Sequence, residues 1–483
     1  MKINIVGGGP SGLYFAILMK KLDRAHEITL FERDAPNDTF GWGIVFSDQT
    51  FDYLKENDIK SFNAITRACQ RWDNVDVVHR DEKITIGGNK FSGISRLTFL
   101  NILHKRCAEL GVDVKFNTNV TDLNELPPAD LLVGADGANS FVRRSFKKAF
   151  DPTVDFGKNR YIWLGTHKLF HGLTLTFREH EAGLFIAHSY KFDDSASTFI
   201  VECSEATWRN ARFDWKSDPE TCEYLAEVFK ADLGGQALLS NNFVRWLNFP
   251  LVKNKRWHHN NVVLLGDALH TAHFSIGSGT KLAVEDAIAL SKAFKGRRDV
   301  EAALTEFQET RKPIVDEYQS AAYSSLLFFE NAEELMKLEP IELAYRLMTR
   351  STKIDHDKLK KRDPEFVAQY EKWAKSRKSE IRSRKSEVKG QKSEAGRQTS
   401  EVKSQKSQVG SQKAEVKSQK SEVRSQKSEV RSQKSEVRSQ KSEVRSQKSE
   451  VRSQKSEVKN QKPEGKRAHT SAGDRKSAAR SQK

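Results

Sequence analysis

Near the N-terminus, apolar residues fall in short continuous runs that alternate with a helix-like stretch. The first run, residues 3–6, leads into a glycine turn, and residues 13–19 then form an apolar, helix-like segment. A second run, residues 28–31, ends at Glu32. Because continuous apolar runs are typical of parallel strands buried on both faces, this alternation predicts the β-α-β unit of an α/β sheet.

Two later runs have the same character and predict further strands of that sheet. Residues 130–133 lead into Gly-Ala-Asp-Gly, and residues 261–265 lead into Gly-Asp-Ala. A second glycine turn, residues 277–279, directly precedes a predicted helix over residues 280–294. Open α/β sheets bind ligands at the carboxyl edge of their strands, so these turns predict a ligand site at that edge.

The pattern changes between residues 155 and 255, where short segments rich in β-branched and aromatic residues are separated by turn residues. This spacing predicts an inserted, mainly antiparallel sheet and therefore a second lobe, with one helix over residues 219–233. The predicted strands of this sheet are residues 160–165, 173–177, 183–188 and 197–202.

Three other segments have simpler patterns. Residues 93–110 predict an amphipathic helix, and residues 112–116 predict a strand by alternation. Residues 300–375 are helical by pattern, and Trp373 is their last bulky apolar residue.

The last part of the chain, residues 376–483, is a degenerate seven-residue repeat, Lys-Ser-Glu-Val-Arg-Ser-Gln, which is most regular over residues 420–457. A coiled coil needs two apolar positions in each heptad, and this repeat offers only its valine. Such a segment cannot bury enough apolar surface to offset the entropy of ordering, so we predict a disordered tail.

The positive charge of the chain belongs to this tail. The whole chain has a formal net charge of +16. Residues 376–483 hold about 31 Lys and Arg against about 13 Asp and Glu, a net charge of about +18, which leaves about −2 for residues 1–375. The body therefore gives no electrostatic reason to expect a nucleic-acid partner, and polyanion binding by the tail is an alternative function.

The composition favours a soluble cytoplasmic protein. The apolar N-terminal run is too short and too rich in glycine for a signal peptide, and no stretch reaches membrane-spanning length. Four cysteines are scattered without C-x-x-C spacing, which suits a reducing compartment and predicts no metal site. These cysteines are Cys69, Cys107, Cys203 and Cys222.

The first glycine turn matches the G-x-G-x-x-G spacing of dinucleotide-binding sites at Gly7, Gly9 and Gly12. Gly7 suits the tight turn, Gly9 lets the backbone approach a pyrophosphate, and Gly12 lets the helix pack on the strand. Glu32, about 20 residues further on, is placed to accept a hydrogen bond from a ribose hydroxyl, and an acid there disfavours a 2′-phosphate. The motif therefore predicts a dinucleotide site at a helix N-terminus.

Three separated motifs together carry a family resemblance. They are the glycine motif with Glu32, the Asp136-Gly137 pair, and Gly266-Asp267 followed by the turn at residues 277–279. In this order they resemble the single-component, class A flavin-dependent aromatic hydroxylases, the para-hydroxybenzoate hydroxylase-like group. The resemblance covers about residues 1–330.

The resemblance implies an α/β fold: a Rossmann-like FAD-binding domain with an inserted, mainly antiparallel β substrate domain, C-terminal helices and a disordered repeat tail. The implied divisions are residues 1–154 and 256–330 for the two parts of the FAD-binding domain, 155–255 for the β-rich substrate domain, 331–375 for the C-terminal helices and 376–483 for the tail.

The resemblance also implies a set of cofactor contacts. The glycine motif with Glu32 would hold the ADP half of FAD, Arg96 the flavin nucleotide, and Asp267 the ribityl chain. Asp136 would help to bind FAD, and the second glycine turn would lie beside the isoalloxazine. The implied cofactor-binding residues are Gly7, Gly9, Pro10, Ser11, Gly12, Glu32, Arg33, Arg96, Asp136, Gly266, Asp267, Gly277 and Gly279.

One departure from the family pattern narrows the resemblance. The usual proline of the G-D-A-x-H-x-x-x-P stretch is Phe274 here, after His273. Phe40-Gly41-Trp42-Gly43 and residues 161–166 and 273–277 are closer to a smaller branch. That branch contains salicylyl-CoA 5-hydroxylase, 2-aminobenzoyl-CoA monooxygenase and the tryptophan hydroxylase of violacein biosynthesis.

The implied function is hydroxylation of an activated aromatic ring with FAD, NADH or NADPH, and dioxygen. The branch favours an aryl-CoA thioester such as salicylyl-CoA or 2-aminobenzoyl-CoA. A tryptophan or indole hydroxylase of pigment biosynthesis and a non-oxygenating FAD-dependent reductase are the alternatives. The W-x-W-x-I-P motif of a flavin halogenase is absent from the sequence.

The catalytic candidates are Trp42, His188 and His273. Trp42 lies between two glycines, which suggests backbone close to a flat ligand, and the alternative is a packed aromatic turn. A protein acid or base could tune the substrate, which makes the two histidines candidates, and the alternative for each is a structural role.

Overall fold

The structure of the chain, a computed structural model, describes residues 1–39, 41–241, 245–297, 299–351 and 353–406 and four residues of the repeat, Arg424, Ser425, Lys427 and Ser428. Met1–Arg377 forms one compact unit, and Lys378–Lys483 is assigned to a second.

The described residues form strands and helices with the following bounds. The strands are β1 (Lys2–Val6), β2 (Glu27–Phe31), β3 (Gly43–Ser47), β4 (Gln70–Trp72), β5 (Val75–His79), β6 (Glu82–Ile86), β7 (Phe91–Ser95), β8 (Asp113–Lys115), β9 (Leu131–Gly134), β10 (Pro152–Thr166), β11 (Leu173–His180), β12 (Gly183–Lys191), β13 (Ser197–Cys203), β14 (Leu238–Leu239), β15 (Leu247–Asn254), β16 (His258–His259) and β17 (Val262–Leu264). The helices are α1 (Pro10–Leu22), α2 (Asp48–Asn57), α3 (Ile59–Ala68), α4 (Arg96–Leu110), α5 (Phe141–Ser145), α6 (Lys147–Phe150), α7 (Glu205–Asn210), α8 (Asp218–Val228), α9 (Lys230–Leu233), α10 (Gly279–Ala293), α11 (Val300–Glu330), α12 (Ala332–Leu335), α13 (Pro340–Met348), α14 (His356–Arg362) and α15 (Pro364–Lys406).

The first sheet is built from the continuous apolar runs. Its strand order is β16-β17-β9-β1-β2-β8, and all its pairs are parallel except β16 with β17 at the edge. Helix α1, which follows β1, is buried along nearly its whole length and packs against α10 and α4. The predicted β-α-β unit and the α/β class are therefore confirmed.

The second sheet has the order β14-β10-β13-β12-β11-β5-β6, with β15 also paired to β10. Every pair is antiparallel except β11 with β5, so the predicted mainly antiparallel sheet is confirmed. Two of its strands, β5 and β6, come from outside the predicted 155–255 segment. Buried Val75 and Val77 of β5 belong to this sheet because of their pairing with β11, a long-range contact that local pattern does not report. The proposed domain boundaries stay a prediction.

The third sheet corrects one predicted helix boundary. It has the order β3-β7-β4, and its central strand contains Gly93, where the sequence predicts the start of a helix. A Cβ on Gly93 would lie 2.5 Å from the Lys191 carbonyl oxygen, so close packing requires glycine there. Helix α4 begins at Arg96, after the Ser95 Oγ accepts from the Thr98 N–H at 3.4 Å.

The C-terminal helices α11 to α15 occupy the region predicted to be helical and share a core with the second sheet. Phe329, Leu347 and Leu359 pack in one buried cluster with Val77 and Phe177. Within the described ranges, no helix combines the length and the apolar character needed to cross a membrane.

Helix α15 differs from the sequence prediction at its C-terminal end. It continues to Lys406, whereas the sequence predicts disorder from residue 376. The side chains of residues 376–386 are exposed, and Lys, Arg, Gln and Glu have favourable intrinsic helix propensity. A prediction based on burial alone does not detect a helix of this kind. Apart from the four repeat residues named above, the tail at 407–483 lies outside the described residues.

A buried ion cluster joins the helices around the first sheet. The Asp58 carboxylate accepts from the Arg106 guanidinium at 3.0 Å and from the Ser61 N–H at 3.1 Å, and Lys21 Nζ lies 2.8 Å away. Burial alone would raise the pKa of Asp58, but the donors from Arg106, Lys21 and Ser61 hold it well below its usual range. The cluster ties the end of α1 to the start of α3 and to α4.

We predict that Asp58→Asn lowers the free energy of unfolding by about 3 kcal/mol at neutral pH, because it leaves the buried Arg106 charge without an anionic partner. The contribution of Asp58 is present above its unfolded-state pKa and is lost as pH falls toward the lowered native value. The difference between wild type and variant in urea denaturation should therefore shrink below about pH 4. Asp52→Asn, at an exposed site on α2, is the control, and equal effects of both variants would contradict the prediction.

Candidate active site

The first glycine turn lies where β1 ends and α1 begins, and two of its glycines are required by packing. Gly7 has a φ of +108°, and a Cβ there would lie 2.3 Å from the Ala135 carbonyl oxygen of the neighbouring strand connection. A Cβ on Gly12 would lie 2.2 Å from the Gly7 carbonyl oxygen. These contacts let α1 start immediately against the carboxyl edge of the sheet.

The remaining glycine of the motif, Gly9, faces open space. A Cβ on Gly9 would meet no heavy atom within 4 Å, and Gly9 is the N-cap of α1 without a side-chain cap. Pro10 follows in the first turn of the helix, and Ser11 packs against Gly266 of the second motif. The N–H groups of the first turn of α1 therefore have no side-chain cap at a place with room for an anionic group.

Glu32 lies at the end of β2, beside this turn. Its Oε2 accepts from the Gly8 N–H at 2.6 Å, and its Oε1 accepts from the Asp34 N–H at 2.9 Å. Arg33 Nε lies 3.3 Å from the Asp34 carboxylate, with more than half of its side chain exposed. The structure thus brings Glu32 to the glycine motif, whereas Arg33 pairs with its sequence neighbour.

Asp136 has a local partner for each of its carboxylate oxygens. Oδ1 accepts from the Ser140 hydroxyl at 2.5 Å, and Oδ2 accepts from the Phe141 N–H at 2.6 Å at the start of α5. Arg143, which sequence reasoning missed, donates from Nη1 to the Ala268 carbonyl at 2.7 Å. Asp136 therefore fixes the turn between β9 and α5. Arg143 of α5 connects this turn to the Gly266–Asp267 loop through the Ala268 carbonyl.

The Gly266–Asp267 loop lies beside Arg96, although the two are far apart in sequence. The Asp267 carboxylate is exposed and lies near enough to the Arg96 guanidinium for the two charges to attract each other. Arg96 is half-buried, and its buried Nε has no hydrogen-bond partner among the described residues. Unpaired buried donors are costly, so this arrangement suits a ligand with acceptors between the two groups.

A second helix N-terminus lies at the same edge. Gly277 has a φ of +62° and is exposed, and a Cβ on Gly279, the first residue of α10, would meet no heavy atom within 4 Å. Ser278 is the N-cap and forms no side-chain cap. Two helices therefore present uncapped N-termini, those of α1 and α10, at the two glycine turns.

Trp42 packs in a reciprocal arrangement with Trp163. A Cβ on Gly165 would lie 2.6 Å from the Trp42 ring, and a Cβ on Gly41 would lie 2.6 Å from the Trp163 ring. The glycines beside Trp42 thus have a packing explanation, as the packed-turn alternative expects. The Trp42 carbonyl accepts from the Arg96 N–H at 2.8 Å, which also places Trp42 next to Arg96, the residue that lies near Asp267. Phe40 lies outside the described residues.

His188 and Glu202 form a buried pair on the second sheet. His188 Nε2 lies 3.2 Å from Glu202 Oε2, and Asn159 Nδ2 donates to Glu202 Oε1 at 2.9 Å. The Glu202 side chain is 1% exposed. Burial alone would raise the pKa of Glu202, but the nearby His188 and His273 and the Asn159 amide keep it below its ordinary value.

His273 begins a second chain of polar contacts. Its Nδ1 lies 2.7 Å from Ser275 Oγ, which lies 2.7 Å from Ser325 Oγ, and Arg350 Nε donates to Ser325 at 2.7 Å. Burial lowers the pKa of His273 to about 4 and that of Arg350 to about 10. His273 is therefore a neutral imidazole at physiological pH.

Phe274 lies between the His188–Glu202 pair and the polar contacts of His273, and it occupies the position where the family pattern has proline. Its ring centroid is 4.9 Å from that of Tyr161 and 5.3 Å from that of His188. Tyr161 and Phe274 line a narrow aromatic crevice together with Glu202 and His273. Burial raises the pKa of Tyr161 to about 12, with a smaller contribution from the Asp267 carboxylate. The crevice therefore lies near the loop that carries Asp267.

Sequence reasoning missed Glu202, Asn159, Arg143 and Arg350. A signal existed only for Glu202, a charged residue inside the apolar strand β13, because such residues are seldom buried without a partner. Arg350 is brought to His273 by the tertiary fold alone.

Several known proteins are similar to this chain in sequence or in fold. Residues 128–321 match the FAD binding domain family. The chain is 38% identical over 384 residues to salicyloyl-CoA 5-hydroxylase from Streptomyces sp, covering 77% of this chain and 74% of that protein. It is 38% identical over 346 residues to protodeoxyviolaceinate monooxygenase from Chromobacterium violaceum, covering 71% and 92%. The solved structure of tetrameric 2-methyl-3-hydroxypyridine-5-carboxylic acid oxygenase shares the fold, with a TM-score of 0.58 at 20% identity over 70% of this chain and 92% of that chain.

The fold and the two glycine turns define an FAD-binding protein of the Rossmann-like type. The identity to these relatives shows that the chain belongs to the family of FAD-dependent aromatic hydroxylases, and it is a monooxygenase.

We predict that Asp267→Ala raises the dissociation constant for FAD at least about tenfold, because the family resemblance implies a charge-assisted hydrogen bond from the cofactor to this carboxylate, which alanine cannot accept. Flavin absorbance of the purified protein and titration of the apoprotein with FAD measure the change. Asp113→Ala, at an exposed site on β8, is the matched control. A variant that purified with full flavin would refute the role of Asp267.

Proposed function

We propose that this monooxygenase hydroxylates an activated aromatic ring carried on a thioester, with an aryl-CoA such as salicylyl-CoA or 2-aminobenzoyl-CoA as substrate. The observation that carries the proposal is a cluster of aromatic and titratable side chains near the Asp267 loop. The Phe274 ring packs on the rings of Tyr161 and His188. His188 in turn is hydrogen-bonded to the buried Glu202 carboxylate. The identity to salicyloyl-CoA 5-hydroxylase supports the thioester.

The described residues fit FAD. The open space at Gly9 and Gly279 and the missing side-chain caps of α1 and α10 suit the pyrophosphate and the flavin ring. The unpartnered Arg96 Nε and the exposed Asp267 carboxylate suit the acceptors and hydroxyls of the flavin nucleotide. Bound FAD, with NADH or NADPH as electron donor, supplies the reduced flavin that activates dioxygen.

The N-terminus of α10 contributes to this chemistry electrostatically. Its dipole places partial positive charge at Gly279, which stabilises negative charge on a group bound there. The aromatic side chains around Phe274 exclude water from the adjoining crevice.

The His188–Glu202 pair holds a proton in our proposal. The ionised Glu202 accepts from His188 Nε2–H, which leaves His188 Nδ1 as the acceptor for a proton from a ring hydroxyl or amino group. Asn159 keeps the carboxylate in place. Removing that proton raises the electron density of the ring and makes it more reactive toward an electrophilic oxygen. His273, neutral and tied to Ser275, orients the loop that carries Phe274.

A tryptophan or indole substrate is the second candidate, and the identity to protodeoxyviolaceinate monooxygenase favours it. A non-oxygenating reductase is the third candidate, and it predicts electron transfer without incorporation of dioxygen.

The function is tested by NADH and NADPH oxidation with the FAD-loaded full-length chain under ¹⁸O₂. The substrates are salicylyl-CoA, 2-aminobenzoyl-CoA, their free acids and tryptophan, with the product mass measured in each case. We expect stimulation by a thioester and one ¹⁸O atom in its ring. Stimulation by tryptophan alone would assign indole chemistry, and oxidation without ¹⁸O in any product would assign a reductase.

We predict that Glu202→Gln lowers kcat for a phenolic substrate about 100-fold while flavin content stays at the wild-type level, because the neutral amide cannot support proton transfer through His188. The ratio of hydroxylated product to NAD(P)H consumed should fall as well, which a loss of stability alone would not cause. Glu205→Gln, a partly exposed site just after β13, is the control. Unchanged turnover in Glu202→Gln would exclude this role.

A further inference from the structure

Arg350, which follows α13, carries a charge that the proposed mechanism does not use. Its Nη1 donates to the Leu347 carbonyl at 2.6 Å, its Nη2 donates to the Ser275 carbonyl at 2.6 Å, and its Nε donates to Ser325 Oγ at 2.7 Å. Within the described ranges, no carboxylate forms an ion pair with it. The guanidinium is therefore a fixed set of donors directed at neutral groups, and one of these belongs to the loop that carries Phe274.

Two buried hydroxyls continue from Arg350 to His273. Ser325 Oγ lies 2.7 Å from Ser275 Oγ, and Ser275 Oγ lies 2.7 Å from His273 Nδ1. Both serines are buried, Ser325 completely. The side chains of Arg350, Ser325, Ser275 and His273 thus form one continuous chain of hydrogen bonds. This chain joins the C-terminal helices to the loop before α10.

The direction of this chain follows from the donors that each group can offer. A guanidinium has only donors, so Ser325 Oγ accepts from Arg350 Nε. The Ser325 proton then has Ser275 Oγ as its acceptor, and the Ser275 proton goes to His273 Nδ1. With the opposite order, the Ser325 hydroxyl would be a buried donor without an acceptor, which is costly.

The direction of the chain decides which nitrogen of His273 carries the proton. Burial lowers the pKa of His273 to about 4, so its charge appears only in the acidic range where Glu202 also titrates. In the neutral ring Nδ1 accepts from Ser275, and the proton is therefore on Nε2. No described residue bonds to Nε2, and the sealed polar atoms without a partner do not include it. This N–H is therefore open to the crevice that His273 lines with Tyr161 and Phe274.

We propose that His273 is a specificity-determining residue that donates a hydrogen bond from Nε2 to the carbonyl oxygen of the substrate, and that Arg350 is the positioning residue that keeps it in this form. The identity of the acceptor rests on the proposed function, since a thioester places a carbonyl oxygen next to the aromatic ring. In that function His188 accepts a proton from the same ring. The two imidazoles, which both pack on Phe274, thus have complementary roles, and His273 is a donor rather than a base.

The tautomer is tested by ¹⁵N NMR of the FAD-loaded full-length chain with labelled histidine, and His273→Gln identifies the signals of His273. We expect a neutral ring protonated on Nε2 at pH 7. In Arg350→Met the fixed donor is lost and the Nδ1 resonance should shift toward the protonated value, whereas Arg350→Lys, which can still donate to Ser325, should stay close to wild type. Arg346→Met, at an exposed site on α13, is the control. A proton on Nδ1 in the wild type, or an unchanged Nδ1 resonance in Arg350→Met, would overturn the inference.

Recognition of the carbonyl is tested by titration with salicylyl-CoA, and with the thioether in which CH₂ replaces its carbonyl, in the absence of NADH and NADPH. We expect the wild type to bind the thioester about tenfold more tightly than the thioether, and His273→Leu to bind both about equally. His273→Gln, which keeps an N–H donor, should retain part of the preference.

The outcomes of this titration separate the two proposals. Equal binding of thioester and thioether by a wild type that hydroxylates the thioester would overturn carbonyl recognition alone, as would an unchanged preference in His273→Leu. Absence of binding by both ligands would overturn carbonyl recognition together with the thioester substrate. Flavin content at the wild-type level shows that the compared variants are folded.

Discussion

One buried carboxylate, that of Asp286, holds together the Gly266–Asp267 loop and the helices α10 and α11. Asp286 in α10 is fully buried and accepts from His270 Nε2 at 2.7 Å and from Arg311 Nε at 2.9 Å, with the Gly266 N–H at 3.3 Å. Burying a charge costs several kcal/mol unless its partners replace water, and these three donors do so. Because they come from the Gly266 loop and from α11, a single side chain holds this loop, α10 and α11 in one arrangement. The positions of Asp267 and of the α10 N-terminus follow from it.

In residues 1–377, the groups available to a negatively charged ligand at the two glycine turns are mostly backbone N–H groups. The N-termini of α1 and α10 lack side-chain caps and lie at glycine turns, so their N–H groups and dipoles remain available for a ligand. Arg96 adds a side-chain cation near Asp267, with a buried Nε left unpartnered among the described residues. These groups provide positive partial charge within a body of nearly neutral net charge, while the basic excess of the chain lies in the repeat tail.

The second sheet contributes Tyr161 to the aromatic crevice and holds the buried His188–Glu202 pair. Strand alternation places Tyr161, opposite Glu202 in the register, on the same face as His188. Phe274, in the loop after Asp267, then packs against Tyr161 and His188. Phe274 stands where the family has proline, and its larger side chain is accommodated by packing on the Tyr161 and His188 rings of the second sheet.

The local sequence pattern was enough to predict the α/β class and the inserted antiparallel sheet, and to identify the glycine motif with Glu32. Strand periodicity and turn chemistry depend on residues that are near neighbours in the sequence. The family motifs also pointed correctly to FAD. The sequence by itself did not reveal β5 and β6 as members of the second sheet, the strand before α4, or the Glu202 and Arg350 contacts. Each of these depends on residues tens or hundreds of positions apart, whose free energy of contact appears only when the chain is folded. The tertiary structure alone decided them, and it also decided that Asp136 caps a helix and that Trp42 packs on Gly165.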